Sequence, residues 1–377
     1  MLEAITILLA GGGTGGHLYP GIAVAEAFRL VAPHVKPLFV CTTREIDRVI
    51  LEPTGFEFIP QPIIPWKKSI GGTLRFAKSF GETWDLLRKL LKERKPAAAL
   101  GLGGYAAGLA LKLAARKGIP TALLNPDVIP GEANRLLIKQ AQAVCCQFDQ
   151  TAEHVHASQR AKLRVTGCPI RSDICNRPAR EQAAGRLGLG PRLNTLVVTG
   201  ASLGAQTVNE AVLAMLGGMT LHGWQILHLS GREHAPAVRA GYRDLSVPAV
   251  VIDFTPAMAD VWAVADLAIS RSGASSCAEL TACAVPSILF PYPFHKDLHQ
   301  RANAAVLADA GAAILLDDEK DRRRNAQKLR PAVESLLYDA DRRRVMSDAA
   351  KRLGKPQAAD NVAQVIADLV QIDKITA

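Results

Sequence analysis

Two separate segments of the chain share one plan, in which an apolar strand leads through a glycine-rich turn into an amphipathic helix. Residues 5–28 read ITILLAGGGTGGHLYPGIAVAEAF, and residues 195–212 read TLVVTGASLGAQTVNEAV. Strand and helix signals alternate elsewhere, which predicts parallel sheets with helices on both faces. Since the pattern restarts and 377 residues suffice for two domains, we expect an α/β protein of two doubly wound, Rossmann-like domains facing a cleft.

A segment rich in Pro, Gly and Arg separates the two patterns and sets the domain boundaries. Residues 167–194 lack sustained periodicity and predict a linker with one short helix. We expect an N-terminal domain over 1–166 and a C-terminal domain over 195–353. Residues 354–377 follow a Gly-Lys-Pro break and predict a helix that packs back on the first domain. Strands of the first domain are predicted near Ile5–Ala10, Pro37–Val40, Ala97–Gly101, Thr121–Leu124, Ala143–Cys146 and Arg164–Val165.

The first glycine loop predicts an anion site. Its five glycines let the backbone approach a ligand closely, and the helix, expected to open after Pro20, offers unpaired N–H groups. His17 is the only titratable side chain in the loop and is placed as a general base would be. The loop also matches the G-x-G-x-x-G fingerprint, but Glu45 and Asp47 come too late to hold a ribose. An NAD-dependent oxidoreductase is therefore the weaker alternative.

A second loop, in the C-terminal domain, predicts contacts to a nucleotide. The predicted strand 267–270 leads into Arg271, Ser272 and Gly273, and a helix starts at about Ser275. Hydroxyls and N–H groups there suit a diphosphate, with Arg271 as the countercharge. Glu279, one turn into that helix, can accept the hydroxyls of a ribose. After a further strand, over 287–292, Gln300 could reach a sugar.

Residues 61–95 form a basic, aromatic-bearing stretch. It holds nine Lys or Arg against three acidic residues, a net charge of +6. Apolar side chains run between the charges, among them Trp66 and Phe76 in a part expected to be a loop. This pattern favours an anionic membrane surface over a solvated helix face. We predict no nucleic-acid binding, because no known signature accompanies the charge. The start Met1-Leu2-Glu3 lacks a basic signal region, which predicts a cytoplasmic protein.

The sequence predicts no metal site. His295 and His299 have the spacing of a zinc pair, but no third ligand is evident. The pair Asp339 and Asp341 follows no strand, and we interpret it as a helix boundary. The seven cysteines form no Cys-x-x-Cys pair and predict inert, reduced thiols.

Five segments, in order along nearly the whole chain, resemble the MurG family of bacterial transferases. They are GGGTGGHLYPGIAVAEAF at 11–28, GLGGYAAG at 101–108, GASLGAQTVNE at 200–210, DFTPAMADVWAVADLAISRSGASSCAE at 253–279 and HKDLHQRAN at 295–303. The resemblance implies a GT-B fold and an inverting transfer of N-acetylglucosamine. The donor is UDP-N-acetylglucosamine, a substrate rather than a cofactor. The acceptor is the C4 hydroxyl of N-acetylmuramyl-pentapeptide on undecaprenyl diphosphate (lipid I), which becomes lipid II of peptidoglycan synthesis.

The resemblance also implies roles for individual residues. His17 resembles the candidate base of the family. The implied contacts to the acceptor come from Gly13, Gly103, Gly104 and Tyr105. The implied contacts to the donor come from Thr14, Gly15, Gly16, Asp127, Arg171, Ser202, Thr255, Ala274, Ser275, Ser276, Cys277, Ala278, Glu279 and Gln300. It further implies a peripheral protein on the cytoplasmic face of the cell membrane, with lipid I and other cell-wall synthesis proteins as partners and with roles in cell shape and division.

The chain departs from the family pattern at three places. Residues 124–127 read Leu-Asn-Pro-Asp where the family usually has His-Glu-Gln-Asn, and Leu203 and His299 replace usual glutamines. Asp127 can still accept a sugar hydroxyl, but the carboxylate expected at position 125 is missing. These changes keep a second alternative open, a non-catalytic or altered-specificity relative that binds a sugar nucleotide.

Overall fold

The computed structural model describes residues 4–200, 204–295 and 297–370. The chain divides into two compact units, one made of Met1–Arg171 with Pro356–Ala377 and the other of Ser172–Lys355.

The first unit contains a parallel sheet of seven strands in the order β3-β2-β1-β4-β5-β6-β7. The strands are β1 (Ile5–Gly11), β2 (Val35–Thr42), β3 (Glu57–Gln61), β4 (Ala98–Gly103), β5 (Thr121–Asn125), β6 (Ala143–Cys146) and β7 (Leu163–Val165). The helices between them are α1 (Gly15–Val31), α2 (Glu45–Leu51), α3 (Ile70–Arg94), α4 (Gly104–Arg116) and α5 (Glu132–Ile138), with 3-10 helices at Glu52–Thr54, Asp149–His154 and Ala157–Lys162. Apolar clusters cover both faces of this sheet, and the neighbours Cys145 and Cys146 lie in opposite clusters.

The second unit repeats the plan with six parallel strands in the order β10-β9-β8-β11-β12-β13. The strands are β8 (Asn194–Thr199), β9 (Trp224–Leu229), β10 (Ala249–Ile252), β11 (Leu267–Ser270), β12 (Ser287–Leu289) and β13 (Ala313–Leu315). The helices are α6 (Ser172–Cys175), α7 (Arg180–Leu187), α8 (Gln206–Leu216), α9 (Ala235–Arg243), α10 (Met258–Val264), α11 (Ala274–Ala282), α12 (His299–Asp309), α13 (Arg322–Leu337) and α14 (Ala340–Leu353). Asp339 caps α14 by accepting from the N–H of Arg342 at 2.8 Å, which confirms the helix boundary predicted there.

The last helix, α15 (Ala358–Val370), belongs to the first unit and packs against α1. Its buried residues Val362, Ala363 and Ile366 join the same apolar cluster as β1 and β4.

Several element boundaries differ from those predicted. Helix α1 begins at Gly15 and contains Pro20. The carbonyl of Thr14 accepts the N–H groups of His17 and Leu18, so the helix has begun before the chain reaches the proline. What the proline removes is its own N–H, the donor to the carbonyl four residues earlier. No strand is predicted at Glu57–Gln61, where the structure has β3. This strand contains Pro60 and lies at the sheet edge, where a missing N–H is tolerated.

The basic stretch and the predicted linker also differ from expectation. Helix α3 runs from Ile70, so Phe76 is helical rather than in a loop. In the predicted linker, α6 and α7 belong to the second unit, where both contact α10. Among the described residues no helix is long and apolar enough to span a membrane.

Candidate active site

The order of the strands decides which loops meet in the first unit. Chain order reverses between β1 and β4, so the loops after these two strands flank the switch point of a doubly wound sheet. The first of these loops leads into α1 at Gly15, and the second leads into α4 at Gly104. Two helix N-termini therefore lie beside the glycine loops, an arrangement that favours anions.

The first glycine loop is anchored by Asp47. This fully buried carboxylate accepts the N–H of Gly13 at 2.7 and 2.9 Å, and the N–H and hydroxyl of Thr42 at 2.8 and 2.7 Å. Gly13 has φ +85°, a left-handed conformation that favours glycine. From the sequence alone, Asp47 comes too far along the chain to hold a ribose. In the structure Asp47 fixes the conformation of the glycine loop instead.

His17 lies in the first turn of α1, half-buried against the second glycine loop. Its Nδ1 lies 3.3 Å from the carbonyl oxygen of Gly12 and 3.2 Å from the hydroxyl of Thr14. Because a carbonyl can only accept, the first contact makes Nδ1 the protonated nitrogen and leaves a lone pair on Nε2. Burial lowers the pKa of His17 below its ordinary value of 6.5, against smaller opposing effects of Gly12, Asp127 and Asp47. The ring is therefore a neutral base at neutral pH.

Gly104 leaves the space that the His17 ring occupies. A Cβ at this position would lie 2.8 Å from Cε1 of the ring, and φ is +74°. Tyr105 follows in the first turn of α4, and its hydroxyl would lie 3.6 Å from a Cβ on Gly13. The four residues predicted for the acceptor, Gly13, Gly103, Gly104 and Tyr105, are thus brought together beside His17.

Arg44 is a member of this group that sequence reasoning missed. Its guanidinium donates to the carbonyl of Gly13 at 2.7 Å, and its charge acts on the Tyr105 hydroxyl. Burial raises the pKa of Tyr105, a shift that Arg44 opposes and Asp47 reinforces. The sequence marks Arg44 only as a basic residue just after the end of β2. Nothing in the local pattern connects this residue to the first glycine loop.

The departure at residues 124–127 has a definite structure. Asn125 is buried, donates to the backbone carbonyl of Asp127 at 2.8 Å, and accepts from the side chain of Asn134 at 3.0 Å. Asp127 is half-buried, and its charge raises the pKa of His17. Position 125 thus carries the amide of Asn125 where the family usually has a carboxylate, and the carboxylate of Asp127 lies two residues later.

The remaining predicted residues of the first unit lie on or near α1. Thr14 is the N-cap residue, and Gly15 and Gly16 form the first helical positions. Arg171 stacks over the ring of Tyr19, with 5.3 Å between the guanidinium carbon and the ring centroid.

The second unit has its own switch point between β8 and β11. The loop after β8 includes Ser202, which lies outside the described residues. The loop after β11 leads through Gly273 into α11, whose N–H at Cys277 already donates to the carbonyl of Gly273 at 3.0 Å. Ala274, Cys277 and Ala278 are buried, whereas Ser275 and Ser276 are half-buried. Ser275 and Ser276 are therefore the residues of this turn whose hydroxyls remain partly accessible.

Arg271 does not act as a surface countercharge, which corrects the prediction for this residue. It is 6% exposed and donates to Asp318 at 2.8 Å, to Thr207 at 2.8 Å and to the carbonyls at the end of β12. Burial by itself would raise the pKa of Asp318. The hydrogen bonds that the Asp318 carboxylate accepts, one of them from Arg271, have the larger effect and hold this pKa below its usual range. A buried arginine requires such partners. The guanidinium therefore links the end of β11 to α8, to the residues just after β12 and to Asp318.

Glu279 is oriented by a residue that sequence reasoning did not select. The indole Nε1 of buried Trp262, on α10, donates to Oε2 of Glu279 at 2.7 Å. The carboxylate is half-buried one turn into α11. Trp262 lies 17 residues before Glu279, in a helix with several other buried apolar residues. Nothing in the local sequence therefore distinguishes Trp262 from an ordinary core residue.

Gln300 and Thr255 lie at the carboxyl-terminal side of the same sheet. Oε1 of Gln300 accepts the N–H of Tyr292 at 3.0 Å, so the amide group of this side chain can donate to a ligand. Its backbone carbonyl accepts from the hydroxyl of Ser272 at 2.8 Å. Thr255 follows β10, and its hydroxyl accepts the N–H of Ala257 at 3.0 Å in the turn before α10.

Comparison with known proteins extends over almost the whole chain. The glycosyltransferase family 28 N-terminal domain matches residues 7–146, and the C-terminal domain of that family matches residues 195–362. Solved structures share the fold. Acinetobacter baumannii MurG aligns with a TM-score of 0.75 and 24% identity over 97% of this chain and 99% of that chain. The UDP-GlcNAc 2-epimerase of Neisseria meningitidis aligns with a TM-score of 0.70 and 14% identity over 97% and 100%. The predicted GT-B fold is confirmed.

Curated relatives are more similar in sequence. The protein of Desulforudis audaxviator named UDP-N-acetylglucosamine–N-acetylmuramyl-(pentapeptide) pyrophosphoryl-undecaprenol N-acetylglucosamine transferase is 36% identical over 375 residues, or 96% of this chain and 98% of that protein. Proteins of the same name from Thermodesulfovibrio yellowstonii and Halothermothrix orenii are 35% and 33% identical, over 97% and 96% of this chain and 99% and 98% of their own lengths. The chain therefore belongs to this family of N-acetylglucosamine transferases, the MurG family, within glycosyltransferase family 28.

Proposed function

We propose that this chain transfers N-acetylglucosamine from UDP-N-acetylglucosamine to the C4 hydroxyl of lipid I, giving lipid II and UDP. The observation that carries the proposal is the 36% identity over 96% of the chain to a transferase of that name. The site supports it, because a neutral histidine and two helix N-termini meet at the switch point of the first sheet.

The chemical step follows from the state of His17. Nε2 takes the proton of the C4 hydroxyl, whose oxygen forms a bond to the anomeric carbon of the donor sugar. The attack comes from the face opposite the diphosphate, whose bond to that carbon breaks. The electron pair of this bond leaves with UDP, so the configuration at the anomeric carbon inverts. The hydrogen bond from Nδ1 to Gly12 fixes the tautomer that this role requires.

The nucleotide side of the proposal rests on the second unit. Glu279, held by Trp262, would accept the ribose hydroxyls, and the N-terminus of α11 with Ser275 and Ser276 would hold the diphosphate. The amide of Gln300 would donate to the sugar. Each of these groups lies at the carboxyl ends of parallel strands, where doubly wound sheets bind nucleotides.

We also propose that the protein binds the cytoplasmic face of the bacterial membrane peripherally, through the segment from Trp66 to Phe80. Trp66, Ile70 and Leu74 are 57, 86 and 68% exposed, and Phe80 is 37% exposed. Lys67, Lys68, Arg75 and Lys78 are exposed in the same segment. Apolar side chains flanked by cations suit an anionic leaflet. Such attachment would bring the site to a lipid-linked acceptor used in wall synthesis.

A transfer assay tests the proposed reaction. Purified protein is incubated with labelled UDP-N-acetylglucosamine and a short-chain lipid I analogue, and the lipid-linked disaccharide is measured. We expect product that depends on both substrates. Binding of UDP-N-acetylglucosamine without transfer would favour the non-catalytic relative, and a nicotinamide-dependent absorbance change instead would overturn the proposal.

A further inference from the structure

The segment between β12 and α12 brings three potential metal ligands together. His295, Asp297 and His299 each offer one ligand atom, and these atoms all lie within 4.8 Å of one another. The two imidazole rings are 4.5 Å apart between centroids and meet at 88°, and Nδ1 of His299 lies 2.7 Å from Oδ1 of Asp297. In the part of the chain that the structure describes, this is the one group of three such residues.

The third ligand is the group that sequence reasoning did not find. Leu298 adopts a left-handed backbone with φ +51°, so the chain turns sharply between Asp297 and His299. A contact between Asp297 and His299 alone would be explained as a cap of α12. The ring of His295 also packs edge-on against His299, with 4.5 Å between centroids, and against Tyr292 at 4.9 Å.

The donor set indicates the class of metal. Two imidazole nitrogens and one carboxylate oxygen suit Zn²⁺ and neighbouring divalent ions such as Co²⁺ and Ni²⁺ better than Mg²⁺ or Ca²⁺. Tetrahedral ligands at about 2.1 Å from a zinc ion lie about 3.4 Å apart. The pair Asp297 and His299, at 2.7 Å, would open slightly to reach this spacing, and the other separations, all within 4.8 Å, would shorten by at most about one bond length. His295 and Asp297 are exposed and His299 is half-buried, which leaves room for water at the fourth position.

We propose that His295, Asp297 and His299 form a binding site for a late first-row divalent metal ion of the zinc class. The bound ion would link His295, Asp297 and His299 immediately before Gln300, whose side-chain oxygen already accepts the N–H of Tyr292. Binding of the metal depends only on these three side chains and not on the transferase reaction. The proposed activity and this site can therefore fail independently.

Titration of untagged, metal-free protein with Co²⁺ tests the site. We expect one Co²⁺ per chain, with the visible absorption of a four- or five-coordinate ion, and displacement by Zn²⁺. Loss of a residue that only hydrogen-bonds to a metal ligand typically lowers metal affinity by about 10–100-fold. His299→Gln removes a ligand itself, so it should lower the affinity for Co²⁺ by at least about tenfold. Asp297→Asn should have a similar effect.

Two matched variants serve as controls. His222→Gln removes an exposed histidine of the same unit, and Cys175→Ser removes the exposed thiol; both should bind Co²⁺ as the wild type does. The far-UV circular dichroism of every variant shows whether it is folded. Wild-type protein that binds no stoichiometric Co²⁺, or a folded His299→Gln or Asp297→Asn variant that binds it as tightly as the wild type, would overturn the three-ligand site.

Discussion

His17 has the protonation state that its proposed role as a base requires, and several neighbours set that state. The backbone carbonyl of Gly12 fixes the tautomer, and desolvation keeps the ring neutral. Asp47 and Asp127 act in the opposite direction, because their charges favour the imidazolium. These carboxylates would stabilise the protonated ring that the proposed reaction creates, while burial keeps the resting ring unprotonated.

His17→Ala should lower kcat by about 10²–10⁴-fold, the usual contribution of a general base, while UDP binding stays near that of the wild type. Because the pKa of His17 lies below 6.5 in the folded protein, wild-type kcat/KM should be level around pH 7 and fall only at more acidic pH, where the ring becomes protonated. The transfer assay across pH measures both effects. His156→Ala, at an exposed histidine of the same unit, is the control, and retained turnover in His17→Ala would place the base elsewhere.

Trp262→Phe should raise KM for UDP-N-acetylglucosamine with little change in kcat. The indole donates to the Glu279 carboxylate, and a hydrogen bond to a charged group contributes about 1.5–3 kcal/mol, which corresponds to at least about tenfold in binding. The proposed contact between Glu279 and the ribose would be present in the ground and transition states alike, so its loss should appear in KM. Glu279→Ala should change KM in the same direction.

Trp224→Phe provides the matched control for this variant. Trp224 is also buried and also donates through its indole, but to the carbonyl of Leu337, and it belongs to the core of the second unit. It should lose stability without a change in KM for the donor. A lower kcat at unchanged KM in Trp262→Phe would contradict the positioning role.

At the scale of an element, α3 has two different halves. Leu87, Leu90 and Leu91 pack into the core of the first unit, whereas Ile70 and Leu74 are largely exposed. Phe76, Phe80 and Trp84 form a ladder along the helix, with ring centroids 6.0 and 6.2 Å apart. The solvated-face interpretation therefore holds for the C-terminal half, and the membrane proposal concerns the N-terminal half.

Replacing Lys67, Lys68 and Arg75 with Glu should release the protein from anionic liposomes. Each cation near an anionic leaflet contributes about 1 kcal/mol, and salt screens this attraction. Activity on a soluble lipid I analogue should barely change. Sedimentation with vesicles at several ionic strengths measures binding.

A second triple variant controls for net charge. Glu at Arg88, Lys89 and Lys92 makes the same change of charge at exposed positions on the half of α3 that packs into the core. It should still bind vesicles. If both variants bind equally well, α3 has no specific role at the membrane.

At the scale of the whole molecule, the chain completes its first unit only at its end. Helix α15 follows the entire second unit, and Ile366 is fully buried in the cluster that contains β1, α1 and β4. The stability of the first sheet therefore depends on residues about two hundred positions beyond its last strand.

Ile366→Ala should destabilise the first unit by about 2–5 kcal/mol, the cost of deleting a large buried aliphatic side chain. Native-state hydrogen exchange should show lost protection in β1 and β2 and unchanged protection in β8 and β9. Leu369→Ala, at a half-buried position of the same helix, should cost less. Equal loss of protection in both sheets would contradict the assignment of α15 to the first unit.

The strand, glycine turn and helix at 5–28, the restart near residue 195 and the helix boundary at Asp339 could be predicted from sequence. Each of these depends on residues within a few positions of one another, where hydrophobic periodicity and turn chemistry act. The family also followed from the order of local motifs. The predicted start of α1 is wrong, because Pro20 removes one backbone donor but does not prevent the helical turn before it.

The contacts that complete the candidate sites were decided by tertiary structure. Asp47 reaches Gly13 across 34 positions, Arg271 reaches Asp318 across 47, and Trp262 reaches Glu279 across 17. Strand order brings these pairs together. Burial in the packed structure is the reason that Arg271 forms an ion pair with Asp318 and that His17 stays neutral. Local sequence thus determines which elements form and where their loops lie. The desolvation and pairing that set the chemistry of a side chain belong to the folded chain alone, because both depend on neighbours that strand order supplies.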